Sequence, residues 1–260
     1  LPFAWLYALL VFGWTGTPAP APEASFFAWA ALGGVAQIFG TACLLHLFQL
    51  RSFSTGIVFS KSEVLQVAVF GGVVLGDAIT ILSATAILVA TSGLVLLARE
   101  AGAPGVRSAL ASLAERPALL GLATGACFAI AAVGFRAASL SLGLPFAVSA
   151  AATLAVSILI QSVAMAAYLR AAEPGQLGVV MREWRRSLLP GLFGAAASAC
   201  WFSAMTLESA AHVRMLGLAE VPFGYAVAIV GLRQYPTRRE QLGTALLVVA
   251  ILALLYDRAG

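Results

Sequence analysis

This chain is short of charge: of 260 residues, 10% are Asp, Glu, Lys or Arg, against about a quarter in soluble domains. It has one lysine, two histidines and three cysteines. The scarcity of charge, together with 61% hydrophobic residues and a mean hydropathy of +0.97, excludes a soluble globular domain and reads as an integral membrane protein. The cysteines Cys43, Cys127 and Cys200 are odd in number and each lies inside an apolar run, which argues against a disulfide framework. They read as small buried hydrophobes. There is no Cys/His cluster at metal-ligand spacing, no glycine-rich phosphate loop and no basic and aromatic stripe, so neither a metal, a cofactor nor a nucleic-acid partner is expected.

What is present is a series of apolar stretches near the length of about 20 residues that crosses a bilayer. They run over 1–16, 25–49, 53–76, 79–98, 117–141, 145–169, 187–207, 211–232 and 240–256, nine spans joined by short connections. No separate catalytic module fits between them, so any function must be built from the helices. The first span is short, begins at Leu1 and lacks the basic region and cleavage site of a signal peptide, which reads as an N-terminally incomplete chain. Eleven of the fourteen arginines fall in alternate connections: Arg51; Arg99, Arg107 and Arg116; Arg170, Arg182, Arg185 and Arg186; and Arg233, Arg238 and Arg239. By the positive-inside rule these connections are cytoplasmic, which leaves the end of the chain outside.

The chain also repeats itself at an offset of 157 residues, without a gap, from Gly34 to Thr80. Thr41-Ala42-Cys43 aligns with Ser198-Ala199-Cys200, Glu63-Val64 with Glu220-Val221, and Gly34, Ser52, Val73, Leu75 and Thr80 with Gly191, Ser209, Val230, Leu232 and Thr237. Glu63 lies in the third visible span and Glu220 in the eighth, so an odd number of crossings separates the copies and they run in opposite directions. The expected fold class is therefore an all-α membrane protein of two inverted repeats of five transmembrane helices, the first helix missing and nine visible. The halves are 1–105 and 106–260, together one transmembrane domain. Inverted repeats are the usual build of secondary transporters, with the substrate near the midplane between the halves.

The landmarks within the repeat are Glu63-Val64, Gly76-Asp77 and Gly93 in the first copy, and Glu220-Val221-Pro222, Arg233-Gln234 and Gly243 in the second. In these the chain resembles the drug/metabolite transporter superfamily, in particular its EamA-type ten-helix members. That family's repeat ends with a Glu-Pro helix, a Gly-Glu turn and a last helix with a mid-span glycine. The first copy here lacks the proline, the second has it displaced by one residue, and the second turn has lost its acid. The resemblance implies a bacterial inner-membrane transporter with both ends in the cytoplasm, in conflict with the arginine bias.

Ionisable residues inside spans cost about 2.5–3.5 kcal/mol each on insertion scales, so each asks for a reason. Glu63 shares a helical face with Gly56, Ser60 and Val67, and either lines a cavity or pairs with a neighbouring helix. Glu220, between Gly217 and Gly224 on its face and followed by Pro222, has the same two readings, with the proline expected to kink the helix and free a carbonyl. Lys61, the sole lysine, either faces a cavity or a partner such as Glu220, or snorkels. Arg136 and Arg214, near span ends, read as snorkelling or loop-side salt bridges. Among uncharged groups, Gln37 and Thr41 share a face with Gly34, and Ser198 stands at the place of Thr41 in the other copy, near Trp201. Gln37 lines a cavity or bonds a neighbouring helix; Trp201, mid-span where tryptophan is uncommon, lines a cavity or packs in the core. Gly121, Gly125 and Ala129 form a small-residue stripe suited to close helix packing.

The expected substrate cavity thus comprises Gln37, Thr41, Ser60, Lys61, Glu63, Ser198, Trp201 and Glu220. Its partners are a small organic molecule, amino-acid-like or amphipathic, the lipid bilayer, and protons as a candidate coupling ion; the oligomeric state is open. The alternative, an intramembrane enzyme acting on a lipid-linked substrate, needs paired carboxylates, a Ser with a His base or a metal site. In sequence none is apparent, and no enzymatic activity is expected.

Overall fold

The computed structural model describes residues 1–18, 20–50, 62–98, 116–232 and 237–259. Most of those residues are helical, and there is no strand among them. In chain order the helices are α1 (Pro2–Thr15), α2 (Ala24–Leu50), α3 (Glu63–Leu75), α4 (Ile81–Ala98), α5 (Arg116–Ser141), α6 (Phe146–Ala172), α7 (Gln176–Arg182), α8 (Leu188–Leu207), α9 (Ala210–Gly217), α10 (Glu220–Leu232) and α11 (Arg238–Ala259). Five are long and apolar enough to cross a membrane: Ala24–Gln49, Ala118–Ser141, Phe146–Ala172, Leu188–Leu207 and Arg238–Tyr256. Large apolar side chains stand outward along them and along the shorter helices, Trp14 and Ile81 among the most exposed. A lipid solvent accounts for such a surface; water does not.

Each of the nine apolar ranges holds helix, but the range 211–232 is not one span. The chain turns at Leu218 and Ala219, splitting it into α9 and α10. Pro222 supplies the reason. The Leu218 carbonyl, which a continuous helix would offer to residue 222, finds no N–H there and accepts from Val221 N at 3.0 Å instead. Glu220 therefore begins a helix rather than sitting inside one. So does Glu63, which follows Ser62 at the start of α3. The two helices are each 13 residues long, and a carboxylate in the first turn meets the positive end of the helix dipole. Ser60 and Lys61, assigned to the cavity from sequence, lie outside the described residues.

Other repeated positions also occupy matching local places. Thr80 precedes α4 and its Oγ1 accepts from Ser83 N at 2.9 Å. Thr237 precedes α11 and forms a capping box with Glu240, whose Oε2 accepts from Thr237 N at 2.7 Å. Val73 and Val230 are both outward, at 80% and 84% exposure. Gly34 lies against Gln161, and Gly191 against the Phe3 ring.

The contacts divide the described chain into two packing units, Leu1–Ile38 with Ala131–Ser209, and Phe39–Ile130 with Ala210–Gly260. They do not coincide with the halves 1–105 and 106–260, because each unit draws on both. In the first, α6 packs on α1, α7 and α8. Its residues from Val148 to Ala155 are buried on every side; most are small, and the Ser149 and Thr153 hydroxyls donate to the carbonyls of Leu144 and Ser149. Ala8 of α1 meets Ala151 and Ala155 there, and Phe26 and Ala30 of α2 meet Ala138 of α5. A Cβ on Gly134 would stand 3.1 Å from the Gly33 backbone, so glycine on both helices permits the approach of α2 and α5.

In the second unit α4 and α11 form the largest interface, with α3, α9 and α10 around them. The crossing is at Gly93, where a Cβ would lie 2.8 Å from the Gly243 carbonyl oxygen and 3.1 Å from Leu246 Cβ. Backbone cannot yield as a flexible side chain can. Gly93→Ala is therefore expected to lower stability by about 1–3 kcal/mol, read as a lower melting temperature in detergent. Gly13→Ala, with nothing within 4 Å of its Cβ, should leave melting unchanged or raise it slightly.

Candidate functional site

The second unit holds a buried polar group centred on α9. Arg214 Nε stands 2.9 Å from Glu63 Oε1 of α3, and His212 Nε2 shares a 2.8 Å hydrogen bond with Ser83 Oγ of α4, its direction set by the imidazole tautomer. Glu63 is 7% exposed, His212 8% and Ser83 not at all. Residues two apart on a helix point about 200° from one another, so His212 and Arg214 reach different neighbours. The short α9 is thereby tied to α4 on one side and α3 on the other. The Arg214–Glu63 contact is close by distance without the alignment of a good hydrogen bond, an ion pair held by Coulomb attraction in a medium that screens it little.

Around the start of α3 the packing is tight. Gln66 Nε2 donates to Ser62 Oγ at 3.0 Å and to the Leu122 carbonyl of α5 at 3.3 Å. A Cβ on Gly125 would be 2.8 Å from Ser62 Oγ and 3.0 Å from Glu63 N. The glycine of the predicted small-residue stripe is what admits the Glu63 turn against α5.

The remaining sequence-predicted residues are distributed over both units. Glu63, Thr41 and Glu220 belong to the second, with Thr41 and Glu220 exposed. Gln37, Ser198 and Trp201 belong to the first, all half-buried, with Ser198 and Trp201 three residues apart on one face of α8. Gln37 Oε1 accepts from Gln161 Nε2 of α6 at 3.0 Å. Gln161 was not singled out from sequence, although a lone glutamine in an apolar helix was the available signal. One turn away, Ser157 Oγ is buried with no hydrogen-bond partner among the described residues.

Arg136, half-buried on α5, reaches the end of α8 through its Nη1. That group donates to the carbonyls of Met205, at 2.6 Å, and Glu208, at the end of α8. A guanidinium there satisfies carbonyls that have no partner within the helix and complements the helix dipole. Ser139 Oγ and Thr206 Oγ1 add a 2.6 Å hydrogen bond beside it. The cysteines differ from their reading as buried hydrophobes: all three are free thiols, Cys43 and Cys127 half-buried and Cys200 exposed. Among the described residues no group of His, Cys, Asp or Glu is arranged to hold a metal ion.

No protein-family model and no curated protein matches the sequence. Eighteen chains of solved structures do match in fold. One, a crystal structure described without a function, covers 99% of this chain and 96% of its own length at 18% identity and a TM-score of 0.54. At that identity the likeness is one of fold alone.

Removing one partner from a buried ion pair leaves the other charge uncompensated, at a cost of about 3–5 kcal/mol. Arg214→Met should accordingly lower the melting temperature in detergent sharply. The double variant Glu63→Gln with Arg214→Met should recover much of the loss, and a double variant as unstable as the single one would show that the pair is not what holds α3 to α9.

Proposed function

We propose that this chain is a secondary transporter of the bacterial inner membrane, moving a small amino-acid-like or amphipathic molecule by alternating access between two inverted five-helix repeats. The observation that carries the reading is the pair of acids that open short apolar helices. Glu63 and Glu220, 157 residues apart in sequence, each open a 13-residue helix within the membrane-length part of the chain. Broken helices whose ends face a site are a recurrent device of transporters, because they offer unsatisfied backbone groups and a helix dipole where hydrocarbon offers neither. Matching N-caps at Thr80 and Thr237 support the repeat. The described polar residues Gln37, Thr41, Ser198 and Trp201 suit a neutral, zwitterionic or aromatic molecule better than a phosphorylated one. In this reading Glu63 is the proton-coupling residue, and a proton arriving there would dissolve its ion pair with Arg214 and release α3 from α9.

The test is uptake in proteoliposomes. Neutral and aromatic amino acids should accumulate when a pH gradient is imposed and sugar phosphates should not. Trp201→Ala should weaken transport more than Cys200→Ala, and Glu63→Gln should abolish gradient-driven accumulation while leaving exchange across the membrane. Unchanged accumulation by Glu63→Gln would remove Glu63 as the coupling residue.

A second reading, an intramembrane enzyme acting on a lipid-linked substrate, is favoured by one observation, the Ser83–His212 hydrogen bond. A serine beside a histidine is the core of nucleophilic acyl transfer. Ser83 has no exposed surface to admit an acyl carbon, which weighs for the transporter. A fluorophosphonate probe should leave the protein unlabelled; labelling lost in Ser83→Ala would favour the enzyme.

A further inference from the structure

The connection between α6 and α8, two helices of membrane-crossing length, has a composition unlike the rest of the chain. It carries Arg170, Arg182, Arg185 and Arg186 against two acids, Glu173 and Glu183, and Arg186 Nη1 occupies Glu183 at 3.0 Å. No residue of α7 is buried. Val179, Val180 and Met181 stand outward, Met181 at 68% exposure, and so does Trp184, with the Arg185 guanidinium 5.5 Å from its ring centre. On α7, Leu177, Val180 and Met181 fall on one stripe at helical spacing, and Arg182 lies away from it. Beside this stripe a cavity of about 620 Å³ is lined by Arg170, Pro174 and Gly175 together with Leu177 and Met181.

Apolar side chains this exposed on a short helix that joins two spans are uncovered in water but covered at the boundary between headgroups and acyl chains. Tryptophan and arginine belong at the same depth, the ring for its amphipathic character and the guanidinium for phosphate. From this we infer that the connection from Arg170 to Arg186 is a binding site for an anionic phospholipid, with the headgroup phosphate at Arg170 in the cavity and the adjacent arginines around it. The acyl chains lie along Leu177, Val180 and Met181. Anionic lipid is chosen over zwitterionic by the arginine excess, since a positive segment near an anionic surface gains attraction with every added cation. The site is independent of whether the protein transports anything.

Native mass spectrometry of the purified full chain, released from nanodiscs of equal phosphatidylglycerol and phosphatidylcholine, tests the inference. Retained phosphatidylglycerol should exceed phosphatidylcholine by about tenfold or more, each basic residue contributing about fivefold. Arg170→Gln with Arg182→Gln should lower that excess by about tenfold, and Arg185→Gln with Arg186→Gln should lower it less, because Arg186 is shared with Glu183. All four arginines are exposed, so these changes leave the packing intact, and Arg238→Gln serves as a control that should change nothing. Equal retention of the two lipids, or an excess that survives both double variants, would overturn the site. Displacement of the lipid by millimolar inorganic phosphate would also overturn it, marking a pocket for free phosphate instead.

Discussion

Lipid tails are as apolar as leucine, so two apolar helices gain little by leaving lipid for one another. The association of these helices therefore depends on what lipid cannot supply: close backbone approach, and partners for polar groups. Gly93 against Gly243, Gly33 against Gly134 and Gly125 against the Glu63 turn provide the first. Arg214–Glu63, His212–Ser83, Gln161–Gln37 and Arg136 at the end of α8 provide the second. Each polar tie joins helices distant in sequence, where an unpaired group would be expensive.

The same constraint places function and stability on the same residues. A charge retained within an apolar run must be held by another group, and a group so held is also one whose release could move a helix. Glu63 exemplifies this, being both the anchor of α9 and the residue whose protonation the transporter reading requires. His212 and Arg214, on opposite sides of one short helix, make α9 the element on which such a change would act. The break between α9 and α10 extends the argument to the backbone. Pro222 ends the hydrogen-bond ladder, and the acid that follows the break sits on the helix dipole.

A good part of the fold was legible in the sequence. Low charge and apolar runs of membrane length specify helices, because in hydrocarbon the backbone must satisfy itself. Thr80 and Thr237 were visible as a duplicated pair, and the structure gives them the same local task, N-capping. The interruption before Glu220 was half legible, since Pro222 announced a kink but not a complete turn. The site was less so. The face read for Glu63 with Gly56 and Ser60 falls on residues outside the described ones, while the ion pair of Glu63 with Arg214 had no signal in the spacing.

By itself the sequence determined the solvent, the helical class and the apolar ranges in which helices lie, all of which follow from local composition and spacing. Only the tertiary structure decided the partners: that Glu63 meets Arg214, that Ser83 meets His212 across 129 positions of chain, that Gln37 meets Gln161 and that Arg136 donates to carbonyls at the end of α8. The physical reason is the uniformity of the helices. A helix apolar on every side gives no direction in which to look for its core, so which polar group faces which was fixed by where glycine and alanine let two backbones meet.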